Sequence, residues 1–183
     1  AGGGDGNDTI NLSSAAVVNN TASGGSGNDT ITGTTTASSS TIFGDKGADN
    51  ITFGNGTAIQ QGVAYGDSAS GATDGAGNDT IAFNAGDSLI SLATISGGAG
   101  DDSIRIDGGE VIKATVNANQ GNDSITVDAS ASMISSTIFG GAGNDSLTDA
   151  AGASSIEGGA GNDSLTGGDD ADTIKGGDGN DTV

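Results

Sequence analysis

The sequence predicts an all-β chain coiled as a right-handed parallel β-roll, a flattened β-solenoid of about nine coils with one specialised edge. Three observations carry that expectation. A Gly-rich six-residue turn ending in Asp recurs ten times along the 183 residues. An aliphatic residue stands two places after each of those Asp residues. A short triplet, polar–aliphatic–polar, precedes most of the turns. Self-similarity at a near-constant period marks chains that stack one supersecondary unit on the next.

The turns begin at residues 3, 24, 44, 74, 97, 118, 140, 158, 167 and 176. Only the last three lie nine residues apart; the earlier ones are separated by 18–23 residues, with a single interval of 30. The unit is therefore a coil with a motif edge and a plain edge. After each turn, the motif strands offer Ile10, Ile31, Ile51, Ile81, Ile104, Ile125, Leu147 and Leu165 as one inward ladder. The plain triplets offer Ile42, Ile95, Val116, Ile138, Ile156 and Ile174 as the facing ladder. Alternation of polar and aliphatic residues is the pattern of a half-buried strand. Each coil is thus expected to hold two short strands, with a loose Ser/Thr/Ala-rich turn such as Gly33 to Ser40 on the plain side.

The whole chain, 1–183, is expected to be a single solenoid and a fragment of a longer protein, since it starts and stops almost inside a repeat. Residues 140–183 form the tight nonapeptide region. An irregular insertion falls at about 54–73. There Val63-Ala64-Tyr65-Gly66-Asp67 resembles Thr41-Ile42-Phe43-Gly44-Asp45, which places the extra residues, Ser68 to Asp74, in the motif-edge turn. A lengthened polar loop is the plain account, because loop lengthening costs little entropy.

Composition excludes several classes of function. The formal net charge is −20, with only four basic residues, so the chain cannot neutralise nucleic-acid phosphates. It has no run of apolar residues long enough to span a membrane. It has no His and no Cys, and its Ser residues lack a visible base, so no catalytic residues are expected and the chain is read as not an enzyme.

The turn chemistry points to a hard cation. Glycine supplies the left-handed torsions of the turn, with Asp45, Asn119 and Asp170 as tolerated substitutes. The sixth-position carboxylates are Asp8, Asp29, Asp49, Asp79, Asp102, Asp123, Asp145, Asp163, Asp172 and Asp181. Stacked at the rung spacing of about 4.8 Å, they would repel one another without a counter-ion. Carbonyls of the nearly side-chain-free turn add further oxygens, with Gly3, Gly24, Gly97, Gly140, Gly143, Gly158, Gly161 and Gly176 as candidates. Ca²⁺ takes about six to eight such oxygens, whereas Mg²⁺ demands tight octahedral geometry. Zn²⁺ would lack its usual Cys and His ligands.

Two stacked turns are needed for one site. The pairs along the edge are 8/29, 29/49, 49/79, 79/102, 102/123, 123/145, 145/163 and 163/181, which allows up to eight ions and would bring the charge from −20 to −4. The 49/79 pair is the least regular because of the insertion. Asp172 falls on the opposite edge above Asp149–Ser154, a motif with Ser154 at the Asp position, and is expected to lack a carboxylate partner within this chain. Two buried aliphatics per coil do not offset the ordering of some 20 residues. Folding is therefore expected to depend on Ca²⁺.

These turns and the following aliphatic, as in GGAGNDSLT (140–148), resemble the GGxGxDxUx calcium-binding nonapeptide of RTX (repeats-in-toxin) proteins over nearly the whole chain. The resemblance implies a secreted or cell-surface protein, exported by bacterial type I secretion and folding in extracellular Ca²⁺. It leaves two roles open: a structural module of a surface layer, adhesin or filament, or the folding and secretion module of an enzyme or toxin whose active domain lies elsewhere. The partners expected are Ca²⁺ and further copies of the chain, head-to-tail or lateral. Ice binding would call for Thr at motif position three; that position holds Asp5, Ser26, Lys46, Ala76, Ala99, Gln120, Ala142, Ala160, Asp169 and Asp178.

Overall fold

The computed structural model describes residues 1–12, 17–34, 37–54, 57–67, 77–84 and 89–183. The insertion from Ser68 to Asp74 lies outside the described residues. Every element among those described is a strand, and every strand pairing is parallel. No helix long and apolar enough to cross a membrane is present among them. The strands form a 14-stranded and an 8-stranded sheet, the two faces of a β-solenoid. The 8-stranded sheet runs from Thr9–Asn11 to Ser164–Thr166, so the chain makes somewhat fewer complete turns than the nine expected.

Both expected ladders are present. Ile10, Ile31, Ile51, Ile81, Ile104, Ile125, Leu147 and Leu165 are consecutive register partners on the 8-stranded sheet. On the facing sheet Ile42, Ala64, Ile95, Val116, Ile138, Ile156 and Ile174 follow one another, with Ala22 below them. Val63–Tyr65 pairs with Thr41–Phe43, as the internal similarity predicts.

The plain side differs from the expectation. The loose turn contains a third strand in each wide coil: Val17–Val18, Ala37–Ser38, Ala58–Gln60, Leu89–Ser91, Gly109–Ile112 and the first part of Ala131–Ala142. These strands stack into a ladder of their own and turn directly into the plain strand that leads to the next motif turn. The corner between them is left-handed backbone at Asn19, Ser39, Gln61, Leu92, Lys113 and Ser135, all with φ near 50°. After the first of these six corners the next residue, Asn20, is exposed; after the other five it is small and buried, at Ser40, Gly62, Ala93, Ala114 and Ser136. A larger side chain there would push the two strands apart. The buried Ser136 hydroxyl is satisfied, accepting from Ala114 N at 3.2 Å and donating to Val111 O at 3.1 Å.

Two further inward ladders were not counted in the sequence reading, the first at the last residue of the motif-side strands and the second on the third strand. One comprises Gly33, Phe53, Phe83, Ile106, Val127 and Asp149. The other comprises Ala37, Ile59, Ile90, Val111 and Met133. Phe53 and Phe83 stack with ring centroids 4.7 Å apart and are fully buried. A wide coil therefore buries four apolar side chains, as in Ile95, Ile104, Ile106 and Val111, where two were expected. That roughly doubles the apolar area each coil removes from water.

Candidate metal centres along the motif edge

The motif turns stack one above another because glycine occupies the positions where no side chain fits. Position two is left-handed at Gly4, Gly25, Gly98, Gly141, Gly159 and Gly177, and position four at Gly6, Gly27, Gly47, Gly100, Gly121, Gly143, Gly161 and Gly179. Asp45 (φ 76°) and Asn119 (φ 84°) hold the same conformation at position two, as expected of the residues that tolerate it best. Their side chains bond to the preceding coil: Ser23 Oγ donates to Asp45 Oδ2, and Asn119 Nδ2 donates to Ser96 Oγ at 2.6 Å. Asp170 and Gly168 do not share this left-handed conformation, so the turn 167–172 has a different backbone from those of the motif edge.

Position one is glycine for a separate reason. A Cβ at Gly24 would overlap Asp29 Oδ2 from its own turn and the Gly44 carbonyl from the next coil. The same holds at Gly140 with Asp145 Oδ2 and Gly158 O, and at Gly158 with Asp163 Oδ2 and Gly176 O. The sixth-position carboxylate thus folds back over the first residue of its own turn. One methyl group is accommodated there, at Ala118.

The eight carboxylate pairs expected from the sequence are brought together. Each backbone N–H of one Asp donates to the Oδ1 of the Asp in the next coil: Asp8 to Asp29, Asp29 to Asp49, Asp49 to Asp79, Asp79 to Asp102, Asp102 to Asp123, Asp123 to Asp145, Asp145 to Asp163 and Asp163 to Asp181, at 2.7–3.0 Å. The 49/79 pair keeps this geometry despite the insertion, at 2.7 Å. The other oxygen has no partner. Asp8, Asp29, Asp49, Asp79, Asp102, Asp123, Asp145 and Asp163 each carry a buried, unbonded Oδ2.

A column of buried anionic oxygens is costly unless a cation completes it. The carboxyls respond accordingly. Burial, reinforced by neighbouring carboxylates and partly offset by the backbone hydrogen bond, pushes Asp79 up to about 8 and Asp102 up to about 7. Asp49 and Asp123 rise to about 6 for the same reasons, and Asp145 rises as well. The glycine carbonyls play a mixed part. Those of Gly24, Gly97, Gly158 and Gly176 lie against the position-one residue of the preceding coil, beside the unbonded Oδ2 in the turns they cover. The Gly97 carbonyl also accepts from Asp67 N at 3.1 Å. Those of Gly143 and Gly161 point along the stack at the next position-four glycine. Carboxylate and carbonyl oxygens with no nitrogen or sulfur donor make a set that fits Ca²⁺.

Three features of the site were not legible beforehand. Position-five side chains form a second ladder that runs the other way. Asn28 N donates to Asn7 Oδ1, Asn122 N to Asp101 Oδ1, Asn144 N to Asn122 Oδ1, Asn162 N to Asn144 Oδ1 and Asn180 N to Asn162 Oδ1. The recurrence of Asn before Asp was the available signal. Asp67 is a further acidic residue of the edge, 3 % exposed, whose Oδ2 accepts from Ala99 N at 2.7 Å while Oδ1 is unbonded. Its charge adds to those raising Asp49, Asp79 and Asp102. Lastly, Asp172 does have a carboxylate neighbour: Asp149, whose pKa is raised chiefly by burial and further by the charge of Asp172.

The family model for the RTX calcium-binding nonapeptide repeat matches residues 3–14, 18–37, 34–58, 73–90, 94–110, 135–153 and 148–183. These segments cover well over half of the chain, which therefore belongs to the RTX calcium-binding repeat family. No curated protein and no solved structure matches it. The coil around Asp123 falls between the matched segments, although its turn keeps the same stacking and the same unbonded oxygen.

Proposed function

We propose that this chain is the calcium-stiffened structural module of a secreted or cell-surface protein, of the surface-layer, adhesin or filament kind, folding when it meets extracellular Ca²⁺. The column of buried, unbonded Asp oxygens carries this reading. Each interior Asp bridges two coils, so the ions would be held between coils and would clamp one to the next. The ligands proposed are Asp8, Asp29, Asp49, Asp79, Asp102, Asp123, Asp145, Asp163 and Asp181, with turn carbonyls completing each shell and up to about eight ions along the edge. Bound Ca²⁺ supplies the positive charge that lets stacked carboxylates approach. The protein's part is to hold those carboxylates in register through backbone amides.

The reading assigns no catalysis to these residues, because the edge carboxylates from Asp29 to Asp181 are each fixed by a backbone amide of the preceding coil. Circular dichroism with a calcium titration, followed by electron microscopy of the loaded chain, tests the proposal. Calcium-dependent gain of β signal with elongated rods or filaments is the expected result. Full β signal in excess chelator would overturn the folding claim. Discrete, non-associating particles would move the role to a folding module carried by another domain.

A further inference from the structure

The turn Asp149–Ser154 reads as a motif that has lost its ligand, with Ser154 in the Asp position. The packing of the motif edge gives it another meaning. There, the position-one glycine and the sixth-position carboxylate compete for one space, since a Cβ on Gly140 or Gly158 overlaps the Oδ2 of Asp145 or Asp163, and the same holds on the second edge for Gly167 and Asp172. In Asp149–Ser154 the two positions are exchanged in kind. Position six is the short Ser154, and position one carries the carboxylate, Asp149. The acid has moved to the other end of its turn.

Asp149 is 0 % exposed and stands in an inward ladder directly above Val127. Its Oδ1 accepts from Ala151 N at 2.9 Å, and its Oδ2 is buried without a partner. The next coil lays Asp172 over it in the pairing used along the motif edge: Ser154 N donates to Asp172 Oδ1 at 2.9 Å, as Asp145 N does to Asp163 Oδ1. Gly168 N holds Asp172 Oδ2 at 3.0 Å. The Ser154 hydroxyl is 3.5 Å from Asp172 Oδ1 and also acts on Asp149. The Asp149 and Ala150 carbonyls face Gly168, about where its missing side chain would lie. No basic residue is among the groups that act on Asp149.

We propose a cation site on the second edge, formed by Asp149 and Asp172 with Ser154 and turn carbonyls, that takes one Ca²⁺ where the wide coils give way to the tight ones. It extends the calcium reading of the motif edge to a place where the motif itself is broken. A position-one carboxylate does the work that the missing sixth-position Asp does elsewhere. The hard, all-oxygen donor set selects Ca²⁺ over softer metals.

Counting bound Ca²⁺ by mass spectrometry on the full chain, desalted at fixed free Ca²⁺, tests this, with circular dichroism to confirm folding. Asp149→Asn and Asp172→Asn should each lose one ion per chain, and the double variant should lose the same one ion. Combining Asp149→Gly with Ser154→Asp, which recreates the motif-edge arrangement of glycine at position one and Asp at position six, should keep the ion. Unchanged stoichiometry in either single variant overturns the second-edge site while leaving the motif edge intact. A wild-type chain that binds no Ca²⁺ overturns both. Should Asp149→Asn fail to fold, half-buried Asp172 carries the test, and retention of the ion in Asp172→Asn is decisive against the site.

Discussion

The wide coils and the tight C-terminal coils solve the same problem in different ways. A wide coil such as 94–114 has one carboxylate edge and buries Ile95, Ile104, Ile106 and Val111. The tight coil from Ile156 to Thr173 has no third strand; it buries Ile156 and Leu165, and Ile174, stacked on Ile156 at the start of the next coil, is only partly covered. In exchange it carries acids on both edges, at Asp163 and Asp172. Apolar area and carboxylate pairs thus replace one another along a single stack. The change falls at Asp149, where the ladder of Phe53, Phe83, Ile106 and Val127 ends in a buried acid. On the calcium reading proposed above, a coil with less core should take more of its stability from ions.

Calcium withdrawal should give the largest effect and divide the two regions. Hydrogen exchange at falling free Ca²⁺ is expected to show 153–178 losing protection before 94–134. Simultaneous loss would break the comparison. Core truncation should divide them in the opposite sense. Phe53→Ala or Phe83→Ala removes half of a stacked pair and should cost roughly 3–5 kcal/mol in calcium-loaded denaturation. The damage should appear in the wide coils only.

Acidity sharpens the contrast further. Asp49, Asp79, Asp102 and Asp123 have folded-state pKa values raised to about 6, 8, 7 and 6, mainly by burial. An Asp in the unfolded chain titrates near 3.9. The protonated acids therefore favour the metal-free fold fully below about pH 4, and that contribution is lost as pH rises through about 6 to 8. In chelator, β signal should return on acidification, chiefly from the wide coils that hold these four residues. Loss of β signal toward acid in chelator would refute it. The smallest effect is expected from Asn144→Ala. It removes one acceptor for Asn162 N at an exposed position and should lower stability by about 0.5–1.5 kcal/mol, read as a small fall in melting temperature.

The division between what was legible and what was not follows from how each feature is encoded. The ten turns, the two aliphatic ladders and the eight carboxylate pairs were determined by the sequence itself. Each rests on a repeated local pattern, and parallel stacking fixes register once one residue per coil is placed. Leu89–Ser91 and Gly109–Ile112 gave little warning, because strands of three or four residues amid Ser, Thr and Ala hold too few apolar residues to show a period. Only the tertiary structure made them strands, by supplying a neighbour above and below and a left-handed corner at Leu92 and Lys113. The role of Asp149 was decided in the same way. In sequence it is one acid in a broken motif. In the stack it is a buried, unbonded oxygen with the charge of Asp172 from the next coil acting on it.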